Sequence, residues 1–168
     1  MYQDFKDLLS AFHAHGVKYL IVGGYAVIFH AQPRTTKDID LLIQADPANA
    51  QATYGALKEF GMPLGDIRAE DFAKRGNFFR FGYEPRCVDI LPDIPGVDFE
   101  SAWERRVEGV IDPNTGLKAF FISAEDLIAT KLAAGRPQDL ADAEAIRKAS
   151  EAKARQAAQD SRREQGES

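Results

Sequence analysis

Cysteine is nearly missing: the 168-residue chain has one, Cys87, and no internal disulfide can form. Long apolar runs are missing too. The best stretch, KYLIVGGYAVIF, is broken by a glycine pair and falls short of the ~18–20 continuous apolar residues that a membrane-spanning helix needs. The opening MYQDFKDLLS has neither the basic start nor the apolar run of a secretory signal. Positive charge is in deficit, with 21 Lys and Arg against 26 Asp and Glu and a net charge of -5. That balance excludes a protein that coats nucleic acid through its whole surface, so any such contact is local. These absences predict a soluble protein of a reducing compartment, the cytoplasm, with no membrane partner. At 45% hydrophobic and 28% charged, the chain carries one domain's worth of material and can bury a core.

Phe5, Leu8, Leu9 and Phe12 recur at helical spacing and predict an amphipathic helix over 3–14 that ends near Gly16. The branched apolar run 19–22 predicts a buried strand stopped by Gly23-Gly24, with a short helix over 25–31. Pro33 breaks that helix, and 38–43 has strand length and an alternating start. Further helices are expected over 48–60, 98–105 and 123–134, the last opened by Ser123 as N-cap, and another after Gly135-Arg136-Pro137. Residues 62–76 read as irregular. Strands over 77–83 and 86–91 flank Glu84-Pro85 as an antiparallel pair, and 106–111 and 117–122 flank a second turn. From Ala149 onward the only apolar residues are alanines, so this segment builds no core. The expected organisation is one α/β (α+β) domain over 1–148, a mixed, largely antiparallel sheet flanked by helices, and a polar helical or disordered tail over 149–168.

The chemistry concentrates in GGYAVIFHAQPRTTKDIDLLI, residues 23–43, together with RCVDIL, residues 86–91. A glycine pair between strand and helix lets the backbone approach a phosphate, with helix N-terminal amides aimed at the anion. A tight strand-to-helix turn asks for the same residues. Asp38 and Asp40, one residue apart on a strand, point the same way with Cβ atoms roughly 6–7 Å apart. Divalent cations relieve their repulsion, and two Mg²⁺ ions ~3.5–4 Å apart are the usual device for in-line displacement at phosphorus. A solvated strand face explains an isolated D-x-D equally well. Asp89, isolated within the apolar series Val88, Ile90 and Leu91, supplies the third carboxylate, and the three features together favour a metal site.

This order resembles the signature of the polymerase-beta-type nucleotidyltransferase superfamily. The segments GGYAVIFHAQPRTTKDIDLLI, CVDILPDIPGVDFESAW and ISAEDLIATKLAAGRPQDLADAEAI are similar to its minimal bacterial members, related to the toxin component of abortive-infection type toxin–antitoxin systems, over residues 18–147. The resemblance implies transfer of a nucleoside monophosphate from an NTP to an acceptor, with pyrophosphate released and Mg²⁺, or Mn²⁺ in its place, as cofactor. It implies that Asp38 and Asp40 bind both metals and that Asp89 ligates the catalytic metal and helps deprotonate the acceptor. Gly23, Gly24 and the Tyr25 amide would hold the triphosphate.

Arg34, four residues before Asp38, is placed to steady phosphate or orient Asp40, or is a surface arginine. Lys131 sits among Leu127, Ile128 and Leu132 and either serves the triphosphate, as the resemblance suggests, or snorkels. Arg136, Asp139 and Asp142 match the family's pattern and are read as structural. His13, His15 and His30 lack ligand spacing, Cys87 reads as core filler and Trp103 as a core anchor. Residues 64–86 interleave Arg68, Lys74, Arg75, Arg80 and Arg86 with aromatics, as a contact for an RNA end does, although four acids dilute the patch toward a solvated strand face. The resemblance implies as acceptor a tRNA 3′ end, a protein hydroxyl or a small molecule such as an aminoglycoside, ranked in that order. An antitoxin partner and self-association are open. The alternative function is a catalytically silent nucleotide- or partner-binding module on the same fold.

Overall fold

The computed structural model describes residues 1–166; the last two residues of the expected tail lie outside the described residues. In chain order the elements are α1 (Gln3–Ala14), β1 (Tyr19–Val22), α2 (Gly23–His30), β2 (Ile39–Ile43), α3 (Pro47–Phe60), β3 (Phe79–Phe81), β4 (Val88–Leu91), α4 (Phe99–Glu104), β5 (Val107–Asp112), β6 (Leu117–Phe121), α5 (Ala124–Ala134) and α6 (Pro137–Gly166). The strands form a six-stranded sheet in the order β3-β4-β2-β1-β6-β5. Pairs β2–β4 and β1–β6 run parallel and the other three antiparallel, which is the mixed sheet the sequence predicts. No helix among the described residues is long and apolar enough to cross a membrane.

The core sits where the periodicity puts it. Strand β1 is buried along its whole length because both neighbours and both faces are covered, and α1 packs Phe5, Leu8, Leu9 and Phe12 into the same cluster. Caps fix the helix ends. Asp46 accepts a hydrogen bond from the Asn49 amide at 2.7 Å, with Pro47 in the first turn, and Gly61 closes α3 in the left-handed conformation. Ser123 opens α5 by accepting from the Asp126 amide at 3.1 Å, and Gly135 closes it.

Some boundaries differ from the sequence reading. Helix α2 begins at Gly23 rather than after the glycine pair, because Val22, still extended, serves as N-cap. Residues 62–76 are not wholly irregular; Ala69–Ala73 form a 3-10 turn that buries Phe72. Asp38 lies just ahead of β2 rather than within it. The Ile39 amide donates to the Cys87 carbonyl at 3.0 Å, while the Cys87 amide donates to Asp38 Oδ1 at 3.3 Å. The Asp38 side chain thus takes up a backbone donor where the strand ladder has not yet formed.

Helix α6 buries Ala143 and Ile146, and its start is held by charge. Asp139 and Asp142 are 2% and 4% exposed and stand three residues apart, so they share one face of its first turns. Arg136 forks onto Asp139 at 2.6 and 3.3 Å, and Lys131 from α5 reaches Asp139 at 3.2 Å and Asp142 at 3.0 Å. Arg34, from the α2–β2 loop, donates to Asp142 at 2.5 Å. The hydrogen bond from Arg136 outweighs burial and, with Lys131, holds the Asp139 carboxyl below the usual carboxylate range. A depressed folded-state pKa stabilises above the unfolded value and is lost as pH falls through the folded value. Asp139→Asn is therefore expected to cost about 3 kcal/mol at pH 7, with the gap to wild type shrinking as thermal melts are taken down from pH 5 to pH 3. A gap constant across that window would show that the Asp139 charge contributes nothing.

Candidate active site

The parallel register of β2 and β4 sets Asp40 directly beside Asp89. The antiparallel register of β3 sets Arg80 beside Asp89 on its other side, and Val22 at the end of β1 pairs with Asp40. Side chains in register on adjacent strands project from the same face, so the Asp40 and Asp89 carboxylates meet, with Asp38 at the entrance. Burial first, then the negative charges of Asp89 and Asp38 and a hydrogen bond with Asp89, push the Asp40 carboxyl up to about 7; Lys131 acts the other way.

Arg80 offsets part of that negative charge. Its Nε donates to Asp89 Oδ1 at 2.8 Å and its Nη2 to Asp89 Oδ2 at 2.8 Å, a two-pronged pair, and Nη2 also lies 3.5 Å from Asp38 Oδ2. The sequence reading counted Arg80 only as one basic residue of the 64–86 patch. Its signal was the short hairpin: Arg80 and Asp89 face each other across it.

The donor set fits a hard divalent cation, being carboxylate oxygen throughout, with Asp40 carrying an unfavourable charge that a cation would relieve. As arranged, with a guanidinium between Asp89 and Asp38, no group of three or more His, Cys, Asp or Glu among the described residues forms a ready metal cage.

The glycine pair has a steric reason besides the approach of a phosphate. A Cβ on Gly23 would lie 2.1 Å from Asp40 Oδ2, and one on Gly24 would lie 2.5 Å from Thr36 Oγ1. The pair is the seat for Asp40 and for the loop leading to it. No side chain caps α2, whose first residue, Gly23, abuts Asp40. Beside them opens a cleft of ≈ 160 Å³ whose lining includes Gly23, Asp40, Thr130, Lys131, Arg136 and Asp139.

Of the other expected site residues, Lys131 reaches this cleft, whereas Arg34 is turned onto Asp142 and joins the site through the Asp142–Lys131 contact. Asp139 and Asp142, read as structural, are what hold Lys131 at the cleft. The 64–86 patch is largely used internally: Lys74 pairs with Asp71 at 2.8 Å, Arg86 lies 4.6 Å from the Tyr2 ring centre, and Phe72 and Phe81 are buried. His30 donates to the Ile122 carbonyl at 2.6 Å, His13 hydrogen-bonds Tyr19 and His15 pairs with Glu59. Cys87 is buried. A larger groove of ≈ 800 Å³, lined in part by His13, Lys18, Trp103 and Phe120, contains none of Asp38, Asp40 and Asp89, so volume alone does not locate these three acids.

Gly23 and Gly61 both have positive φ, 62° and 93°, but nothing stands within 4 Å of a Cβ at Gly61. Gly61→Ala is expected to lose about 1–2 kcal/mol in urea unfolding from backbone strain alone. Gly23→Ala should lose a further ~1–3 kcal/mol from the collision with Asp40, and equal losses would show that Asp40 is not seated on the glycine.

Over residues 3–151 the sequence matches the family described as "Nucleotidyltransferase of unknown function (DUF6036)". A comparison with curated proteins finds no match. Among solved structures, the chain is similar to the lincomycin-bound crystal structure of lincosamide antibiotic adenylyltransferase LnuA. The TM-score is 0.56 at 18% sequence identity, covering 88% of this chain and 96% of that one. That likeness shows a shared fold. The register that brings Asp40 to Asp89, the glycine seat beneath them and the match along most of the sequence lead to one conclusion: the chain belongs to this nucleotidyltransferase family.

Proposed function

We propose that the protein is a Mg²⁺-dependent enzyme that transfers a nucleoside monophosphate from an NTP to a hydroxyl of a small molecule and releases pyrophosphate. The observation that carries this reading is the meeting of Asp38, Asp40 and Asp89 beside the uncapped start of α2. Asp38 and Asp40 would hold the metal ions, and Asp89 the one nearest the acceptor. Bound there, the ions would neutralise the phosphates and make the acceptor hydroxyl more acidic.

The amides of Gly23, Gly24 and Tyr25 bind triphosphate oxygens at the helix start, where the peptide dipoles favour an anion. Lys131, fixed by Asp139 and Asp142, presents a point charge to the same cleft. Asp89 accepts the proton of the attacking hydroxyl. A bond forms between the acceptor oxygen and the α-phosphorus, the bond from that phosphorus to the oxygen bridging to the β-phosphate breaks, and pyrophosphate leaves. Positioning and charge neutralisation lower the barrier, with no covalent enzyme intermediate.

Two features favour a small-molecule acceptor over a tRNA end or a protein. The similar structure bears a bound antibiotic on a chain of which nearly the whole length is matched, and the basic side chains at 74, 80 and 86 are tied to acids or rings of the same chain.

The test is incubation with each α-labelled NTP and Mg²⁺ in the presence of a metabolite extract, total RNA or protein, following label and pyrophosphate. Label in small molecules is expected, and Asp38→Ala or Asp89→Ala should lower turnover about 10³-fold or more with the circular dichroism spectrum retained. Label in tRNA alone would move the protein to the toxin class and imply an antitoxin partner. Nucleotide binding without pyrophosphate release in any mixture would identify a silent binding module, and wild-type turnover by Asp38→Ala would overturn the site.

A further inference from the structure

We propose that Arg80 is the resident counter-cation of the aspartate site: it occupies the carboxylates until a divalent metal ion displaces it, so metal loading and release of the Arg80 side chain are one coupled event. The inference rests on the reading that Asp38, Asp40 and Asp89 hold the metal, and goes beyond it by giving Arg80 a role in setting metal affinity.

The Asp89 side chain is 4% exposed, and an ionised carboxylate so placed is costly without a partner. Both of its oxygens are engaged by the guanidinium fork at 2.8 Å, and the same Nη2 stands 3.5 Å from Asp38. Arg80 therefore bridges two of the three carboxylates a metal ion would need. A hard cation takes the same oxygens, and its two positive charges exceed the guanidinium's one. The two occupants compete.

Departure of the side chain is easy to accommodate. Strand β3 is the outermost strand, paired only with β4, and the Arg80 side chain is 47% exposed, so it can turn to solvent without moving backbone. Its guanidinium already lies 5.7 Å from the ring centre of exposed Phe78. A lysine in its place would keep the charge and lose the two-pronged geometry. Metal affinity of the wild-type protein is thus measured net of breaking the Arg80–Asp89 pair.

The probe is Mn²⁺, titrated without nucleotide into the full chain and read as free Mn²⁺ by electron paramagnetic resonance, with Asp40→Asn defining binding that does not involve the site. Arg80→Gln is expected to bind Mn²⁺ about tenfold or more tightly than wild type, the scale of a charge-assisted hydrogen bond removed from the competing state. Arg80→Lys should fall between, and it carries the test if Arg80→Gln does not fold. Independently, Mg²⁺ should move the Arg80 Nε–H resonance of the wild-type protein toward the position of a solvent-exposed arginine. Equal or weaker Asp40-dependent binding in both variants, or an Arg80 resonance that ignores bound Mg²⁺, would overturn the role of Arg80 and leave the metal reading standing. Absence of Asp40-dependent binding in wild type and variants alike would overturn the metal reading, and this inference with it.

Discussion

Two carboxylates meeting side by side on a parallel strand pair are an electrostatic liability that the surrounding fold has to manage. Asp40 and Asp89 are placed together by the register of β2 and β4, with Asp38 adding a third charge. The management has three parts. Gly23 gives Asp40 room, Arg80 sits against Asp89 and Asp38, and Lys131 lends positive potential from α5. Stability alone would be served better by apolar residues at these positions, since buried charges seldom outperform a packed core. On the function proposed above, keeping all three acids together is preorganisation for a cation, the electrostatic preparation on which phosphoryl chemistry relies.

The same reasoning explains the position of α6. Lys131 cannot hold its ammonium at the cleft unaided, because a partly buried amine needs acids around it. Asp139 and Asp142 supply them and in doing so fasten α6 and, through Arg34, the loop that leads to Asp38. The placement of Lys131 at the cleft and the docking of α6 thus use one set of ion pairs.

Much of this was legible in the sequence where the signal is local. The 3–14 helix, the buried strand ending at the glycines and the cap at Ser123 follow from spacing and backbone preference, and Asp40 and Asp89 were recognisable as acids interrupting apolar strands, whereas Asp38, expected in the first of them, lies just ahead of it. What escaped was pairwise and long-range. That Gly23 exists for Asp40 depends on two residues seventeen positions apart meeting across β1 and β2. Arg34 finding Asp142 spans more than a hundred positions, and no periodicity encodes it. Arg80 lay closer to reach, but weighing it as part of a basic patch hid its register opposite Asp89.

The contact between Gly23 and Asp40 also acts as a length gauge. With Oδ2 already where a single added carbon on Gly23 would fall, the space beneath position 40 is closed. A glutamate there would carry the same charge on a side chain one methylene longer, and its carboxylate would have to enter the first turn of α2 or leave the β4 side altogether. The fold therefore distinguishes between the two acidic amino acids at this position by reach, although their chemistry is the same.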